Sequence, residues 1–117
     1  MKHPICRVIL YVSDMKAMAS FYSRLINGCE IDQCNIDYYW TEICTSGIAL
    51  ALHSGEGVKI QEAQTLKLCF HASSSKDLVT STENLGARFL SSRSPIETVE
   101  VFDFLDPEGN EFSIEVF

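Results

Sequence analysis

Two cations carry the clearest chemical potential in this chain. Arg7 alternates with Val8, Leu10 and Val12 on the same side as Ile9 and Tyr11, and Lys67 alternates with Leu66, Leu68 and Phe70 on the side of Cys69 and His71. On a strand, such alternation sends successive side chains to opposite faces, so both cations point away from the aliphatic row. Two cations on the open faces of related strands would flank one pocket and could receive a carboxylate, enolate or phosphate oxygen. The competing reading is a structural ion pair, with Glu111 and Glu115 of the tail as counter-charges. Trp40, Tyr38, Tyr11, Phe102 and Phe104 could wall a cavity, with Ala49 and Ala51 leaving room for a planar or bulky ligand. Their ordinary alternative is packing within a sheet.

Five cysteines, an odd number without any C-x-x-C pair, sit mostly inside apolar runs. That pattern predicts reduced thiols acting as small buried hydrophobes. Nucleophilic catalysis by Cys69 lacks an activating partner in sequence beyond Lys67 and His71.

These residues need elements to hold them. A run from Cys6 to Val12 predicts a strand, followed by a helix capped by Ser13 or Asp14, with Met15, Met18, Ala19, Tyr22, Leu25 and Ile26 as its apolar stripe and Gly28 as its stop. Three strands are expected from Cys29 to about Ser54, one bearing Tyr38, Tyr39 and Trp40 and another running from Ile48 to His53. Val58 to Thr65 has no clear period and is expected to connect two halves. The order then repeats: a strand at Leu66–His71, a helix begun by a Ser74/Asp77 capping box and ended at Gly86, and three strands in Ala87–Phe117. In the last of these, Asp106-Pro107-Glu108-Gly109 predicts a tight turn between two strands. The duplicated strand–helix–three-strand order predicts an α+β fold, with module one at about 1–57 and module two at about 65–117.

At 117 residues, 46% hydrophobic and 21% charged, the chain suits one soluble globular domain. A net charge of −7 with scattered Lys and Arg argues against nucleic acid. No apolar run is long enough for a membrane span, and Met-Lys-His-Pro leads directly into strand-like sequence, so a cytoplasmic location is expected.

With that order established, the chain resembles the vicinal oxygen chelate superfamily of glyoxalase I, extradiol dioxygenases, and fosfomycin and bleomycin resistance proteins. The resemblance rests on Val12-Ser13-Asp14 through Phe21-Tyr22-Ser23-Arg24-Leu25-Ile26-Asn27-Gly28 and on Phe104-Leu105-Asp106-Pro107-Glu108-Gly109-Asn110. It implies two tandem βαβββ modules forming a half-open, eight-stranded mixed barrel with a central cavity, usually in a dimer. It also implies metal-ligand positions on the first and fourth strand of each module, which fall on Arg7, Ala51, Lys67 and Ser113.

None of these four is a good donor for a divalent ion, which takes imidazole and carboxylate, and an arginine places a fixed positive charge where the cation would sit. His53, His71 and Glu115 share face parity with those positions, but two residues along a strand is about 6.6 Å, against a ligand distance of about 2 Å. The expectation is a protein without cofactor, metal ligands or catalytic residues that binds a small organic molecule through Arg7, Trp40, Ala51, His53, Lys67, Phe104, Ser113 and Glu115, as a homodimer. The alternative is a lyase- or dioxygenase-type enzyme of the superfamily with a displaced or absent metal, or one using Arg7 and Lys67 to stabilise an enolate.

Overall fold

Alternation in the first run produces β1 (Arg7–Val12), whose Val8, Leu10 and Val12 turn to one face and whose Arg7, Ile9 and Tyr11 turn to the other. In the computed structural model the described residues are 2–45, 47–55 and 66–117, arranged as two compact units, Met1–Lys59 and Ile60–Phe117.

In the first unit β1 leads into α1 (Met15–Asn27). Asp14 caps it, its carboxylate accepting from the Ala17 backbone N–H at 3.0 Å, which satisfies one of the donors a helix start leaves open. Gly28 ends it at φ 71°, donating to the Arg24 carbonyl in the left-handed conformation that a Cβ disfavours. Met15, Met18, Ala19, Phe21 and Tyr22 are buried, and the helix packs on β2 (Trp40–Cys44) and β3 (Ala49–Ser54). The sheet order is β1-β3-β2, with β1 parallel and β2 antiparallel to the central β3. Val12, Ile43, Leu50 and Leu52 are buried in this unit.

The strand expected first after Cys29 does not form. That stretch holds a short 3-10 turn at Gln33–Asn35 instead. Its backbone donors are taken locally: the Asp32 carboxylate accepts from the Cys34 N–H, and the Asp37 carboxylate accepts from the N–H groups of Tyr39 and Trp40. Such aspartate turns compete with ladder pairing. Ser23 Oγ, accepting from the Ile31 N–H, and Ser20, donating to Glu30, tie the segment to α1. Tyr38 and Tyr39 consequently precede β2 rather than belonging to it.

The second unit contains β4 (Leu68–Ala72), α2 (Leu78–Asn84), β5 (Arg88–Ile96), β6 (Val99–Leu105) and β7 (Glu111–Val116), in the sheet order β4-β7-β6-β5. β4 runs parallel to β7 and the other pairs are antiparallel. The core is aromatic: Phe104 stacks on Phe112 at 5.5 Å and meets Phe89 at 5.5 Å. The Asp106–Gly109 turn forms as expected, with Gly109 at φ 87° and the Asp106 carboxylate accepting from the N–H groups of Glu108 and Asn110.

The expected Ser74/Asp77 capping box does not form. Ser74 Oγ accepts from the Lys76 N–H, one turn too early, and Asp77 adopts φ 56° without a side-chain cap. Val58–Thr65, the expected connection, lies outside the described residues. Among those described, seven strands form two separate mixed sheets, three-stranded and four-stranded, and neither sheet closes on itself. All five cysteines are free, as expected, but exposed rather than buried: Cys44 and Cys69 alternate onto the faces of β2 and β4 opposite the less exposed side chains, and Cys29 and Cys34 lie in the turn region.

Candidate functional site

On the sheet face opposite α1, cross-strand register sets Arg7 beside Ala49, Ile9 beside Ala51, and Tyr11 beside His53, while Trp40 and Glu42 of β2 oppose His53 and Ala51. Arg7 reaches over β3 to Glu42, its Nε donating to Oε1 at 3.0 Å. Two inter-strand steps of about 4.8 Å demand a long cation on one side and small residues between, which Ala49 and Ala51 supply. The guanidinium carbon also sits 5.8 Å from the Trp40 ring centroid, and Trp40 Nε1 donates to Glu42 Oε2 at 3.5 Å. Hydrogen bonds from Arg7 and Trp40, with the Arg7 charge, hold the Glu42 carboxyl below the usual carboxylate range.

A group whose folded pKa is depressed contributes stability above its unfolded pKa and loses it as pH falls through the folded one. Trp40 is the single tryptophan of the chain. Acid titration of its fluorescence is therefore expected to show a transition below the ordinary glutamate range, and Glu42→Gln is expected to remove it. An identical acid transition in the variant would refute the assignment.

His53 lies between Tyr11 and Trp40, with ring centroids 5.3 and 5.6 Å away. Its Nδ1 is 2.7 Å from the Ser54 carbonyl, which can only accept, so Nδ1 carries the proton and Nε2 of the neutral ring is an acceptor.

The second unit repeats this plan at matching register. Ser113 stands between Cys69 and Asp103 as Ala51 stands between Ile9 and Glu42. Lys67, just before β4, crosses β7 to Asp103, its Nζ donating to Oδ1 at 2.9 Å, and also meets Glu111 at 3.1 Å. Asp103 is nearly buried, and Ser113 Oγ donates to its Oδ1 at 2.5 Å while Arg93 Nη1 pairs with its Oδ2. Each unit thus carries a cation on or just before its first strand, bridged over a small residue to a carboxylate two strands away. Burial, then the charge and hydrogen bond of Glu115, push the Cys69 thiol up, against the smaller pull of Lys67 and Arg93.

The expected residues divide accordingly. Arg7, Trp40, Ala51 and His53 come together in the first unit, and Lys67, Ser113 and Glu115 share a face in the second. Phe104 turns to the opposite face of β6, fully buried against Phe89 and Phe112 rather than on a cavity wall, because it alternates with Asp103. Both anticipated cations are ion-paired. Glu111 is a partner of Lys67 as expected, whereas Glu42, Asp103 and Arg93 were not anticipated from sequence. Asp103 was legible as a lone charge within the apolar run Val101–Leu105, and Glu42 as the residue alternating with Trp40. Arg93 gave no signal, because a register shift in β5 decides where it points.

In the first unit Arg7 and Ala51 offer a paired cation and a methyl group, and in the second Lys67 and Ser113 offer a paired cation and a hydroxyl committed to Asp103, none of them a donor that suits a divalent ion. Among the described residues no three His, Cys, Asp or Glu side chains are grouped to hold a metal. No helix among them is long and apolar enough to cross a membrane.

Solved structures with the same fold include a glyoxalase/bleomycin resistance protein/dioxygenase family enzyme from Burkholderia phytofirmans, 18% identical over 94% of this chain and 95% of that one, with a TM-score of 0.78. A genomically encoded fosfomycin resistance protein, FosX, from Listeria monocytogenes is 18% identical over 100% and 95%, at 0.75. A glyoxalase/bleomycin resistance protein from Albidiferax ferrireducens is 13% identical over 97% and 98%, at 0.72. No match was found among the curated proteins. The sequence matches the glyoxalase-like domain family over residues 7–115, nearly its whole length, and the chain belongs to that family within the vicinal oxygen chelate superfamily.

Proposed function

We propose that this chain is a metal-independent binding protein for a small organic molecule, with the half-open barrel, the homodimer and the cytoplasmic location that the resemblance implies as parts of the same reading. The observation that carries it is the occupation of positions 7 and 67 by cations already bridged to Glu42 and to Asp103 and Glu111. An anionic ligand would have to compete with those carboxylates, whereas an uncharged or cationic planar ligand would not. Trp40, Tyr11 and the Nε2 acceptor of His53 offer such a ligand a ring face and a hydrogen bond, beside the small Ala49 and Ala51.

Trp40 emission gives a direct test. Chelator-treated protein is expected to show saturable quenching by uncharged or cationic aromatic compounds and a weaker response to matched carboxylates. Arg7→Ala should strengthen the response to cationic compounds by about tenfold, because it frees the Glu42 carboxylate and uncovers the Trp40 ring on which the guanidinium lies. A stoichiometric divalent ion in protein purified without chelator, with ligand response lost on its removal, would overturn the proposal in favour of the superfamily enzyme with a displaced metal.

A further inference from the structure

We propose a second binding site, on an open groove of about 260 Å³ formed by Met15 and Lys16 of α1 with Ile36 and Tyr38 of the segment before β2, and that it takes a small carboxylic acid with an apolar body. The groove lies at the start of α1, outside the sheet-face cluster of Arg7, Glu42, Trp40 and His53, and does not depend on the function proposed above.

The groove has one wall on a helix and one on a fastened loop. Met15 is 5% exposed and anchored in the core, so it forms a floor that does not swing away. The opposite wall is held by the Asp37 carboxylate, which accepts from the Tyr39 and Trp40 N–H groups, and by Thr41 Oγ1, which donates to the Asp37 carbonyl at 3.0 Å. Tyr38 is 65% exposed and packs edge-on to the equally exposed Tyr39, so its ring is presented at the surface rather than spent on the core. An aromatic ring in that position has an apolar face and a polar hydroxyl tip to offer a ligand.

The charge of the ligand follows from Lys16. Arg7, Lys67 and Arg93 each pair with a carboxylate, whereas Lys16, which lines the groove, has no ion pair among the described residues. Its flexible stem can lay an apolar length along the groove while its head meets a carboxylate at the mouth. The volume is slightly below the range usual for drug-sized ligands, which sets the occupant at a single ring or a short aliphatic chain.

Binding can be read at Met15 by labelling the methionine methyls, of which the chain has three, and following their NMR shifts during titration with benzoate, phenylacetate or hexanoate. The Met15 methyl is expected to shift saturably with at least one acid and much less with the matching amides. Lys16→Gln is expected to weaken the acid by about tenfold, the smaller end of what a charge-assisted hydrogen bond contributes, and Tyr38→Ala to weaken acid and amide alike. Lys16→Gln should leave the Trp40 fluorescence response unchanged, which separates this site from the sheet face. A Met15 signal unmoved by all three acids, equal responses to acid and amide, or an unaltered response in Lys16→Gln would each overturn the proposal.

Discussion

Replacing Phe104 with alanine is expected to cost about 3–5 kcal/mol of folding stability, the range for truncating a fully buried aromatic side chain. Phe104 is wholly buried, stacks within 15° of parallel on Phe112 and touches Phe89, which packs in turn at 6.4 Å from Phe102. Alanine would leave a void bounded by the Phe89 and Phe112 rings on the two neighbouring strands, and strands paired on both sides have little freedom to collapse into it. Urea unfolding should show a lower midpoint at an unchanged slope. Ile96→Ala, at a residue 60% exposed, is the control and should stay within about 0.5 kcal/mol of the parent. A loss at Phe104 no greater than at Ile96 would contradict the packing described here.

One residue earlier on the same strand, Asp103→Ala is expected to cost about 2–4 kcal/mol for a different reason. Its carboxylate, nearly buried, accepts from Lys67 and Ser113 and pairs with Arg93, so its removal leaves one hydroxyl and two cations without their common partner. The cost falls short of a fully buried ion pair because the Lys67 and Arg93 side chains are 33% and 52% exposed, and Lys67 keeps Glu111. Adding Arg93→Ala to the Asp103 variant should cost less than Arg93→Ala alone, and a double-mutant cycle measures that coupling. Strict additivity would mean the two groups do not depend on each other.

These neighbours also show what the sequence disclosed. Period-two alternation placed Phe102 and Phe104 on one side of β6 and a charge between them, and the glycine-containing turn fixed β6 and β7 as a hairpin. Helix α1 was legible to its caps, because both caps use local backbone chemistry. The segment after Gly28 reads as a strand from its isoleucines, but Asp32 and Asp37 divert the backbone donors into turns. The ion pairs were the least visible part of the site. A cation at position 7 finds Glu42 35 residues away, and that pairing depends on which strand lies beyond β3 and in what register. Alternation gives the face of a residue but not its neighbours across the sheet.

The matched bridges constrain what can be exchanged at positions 7 and 67. A histidine at position 7 would leave Glu42 without its arginine, and one at position 67 would strip Asp103 of one of its three donors. In each unit the cation and its carboxylate are therefore expected to tolerate replacement together better than singly.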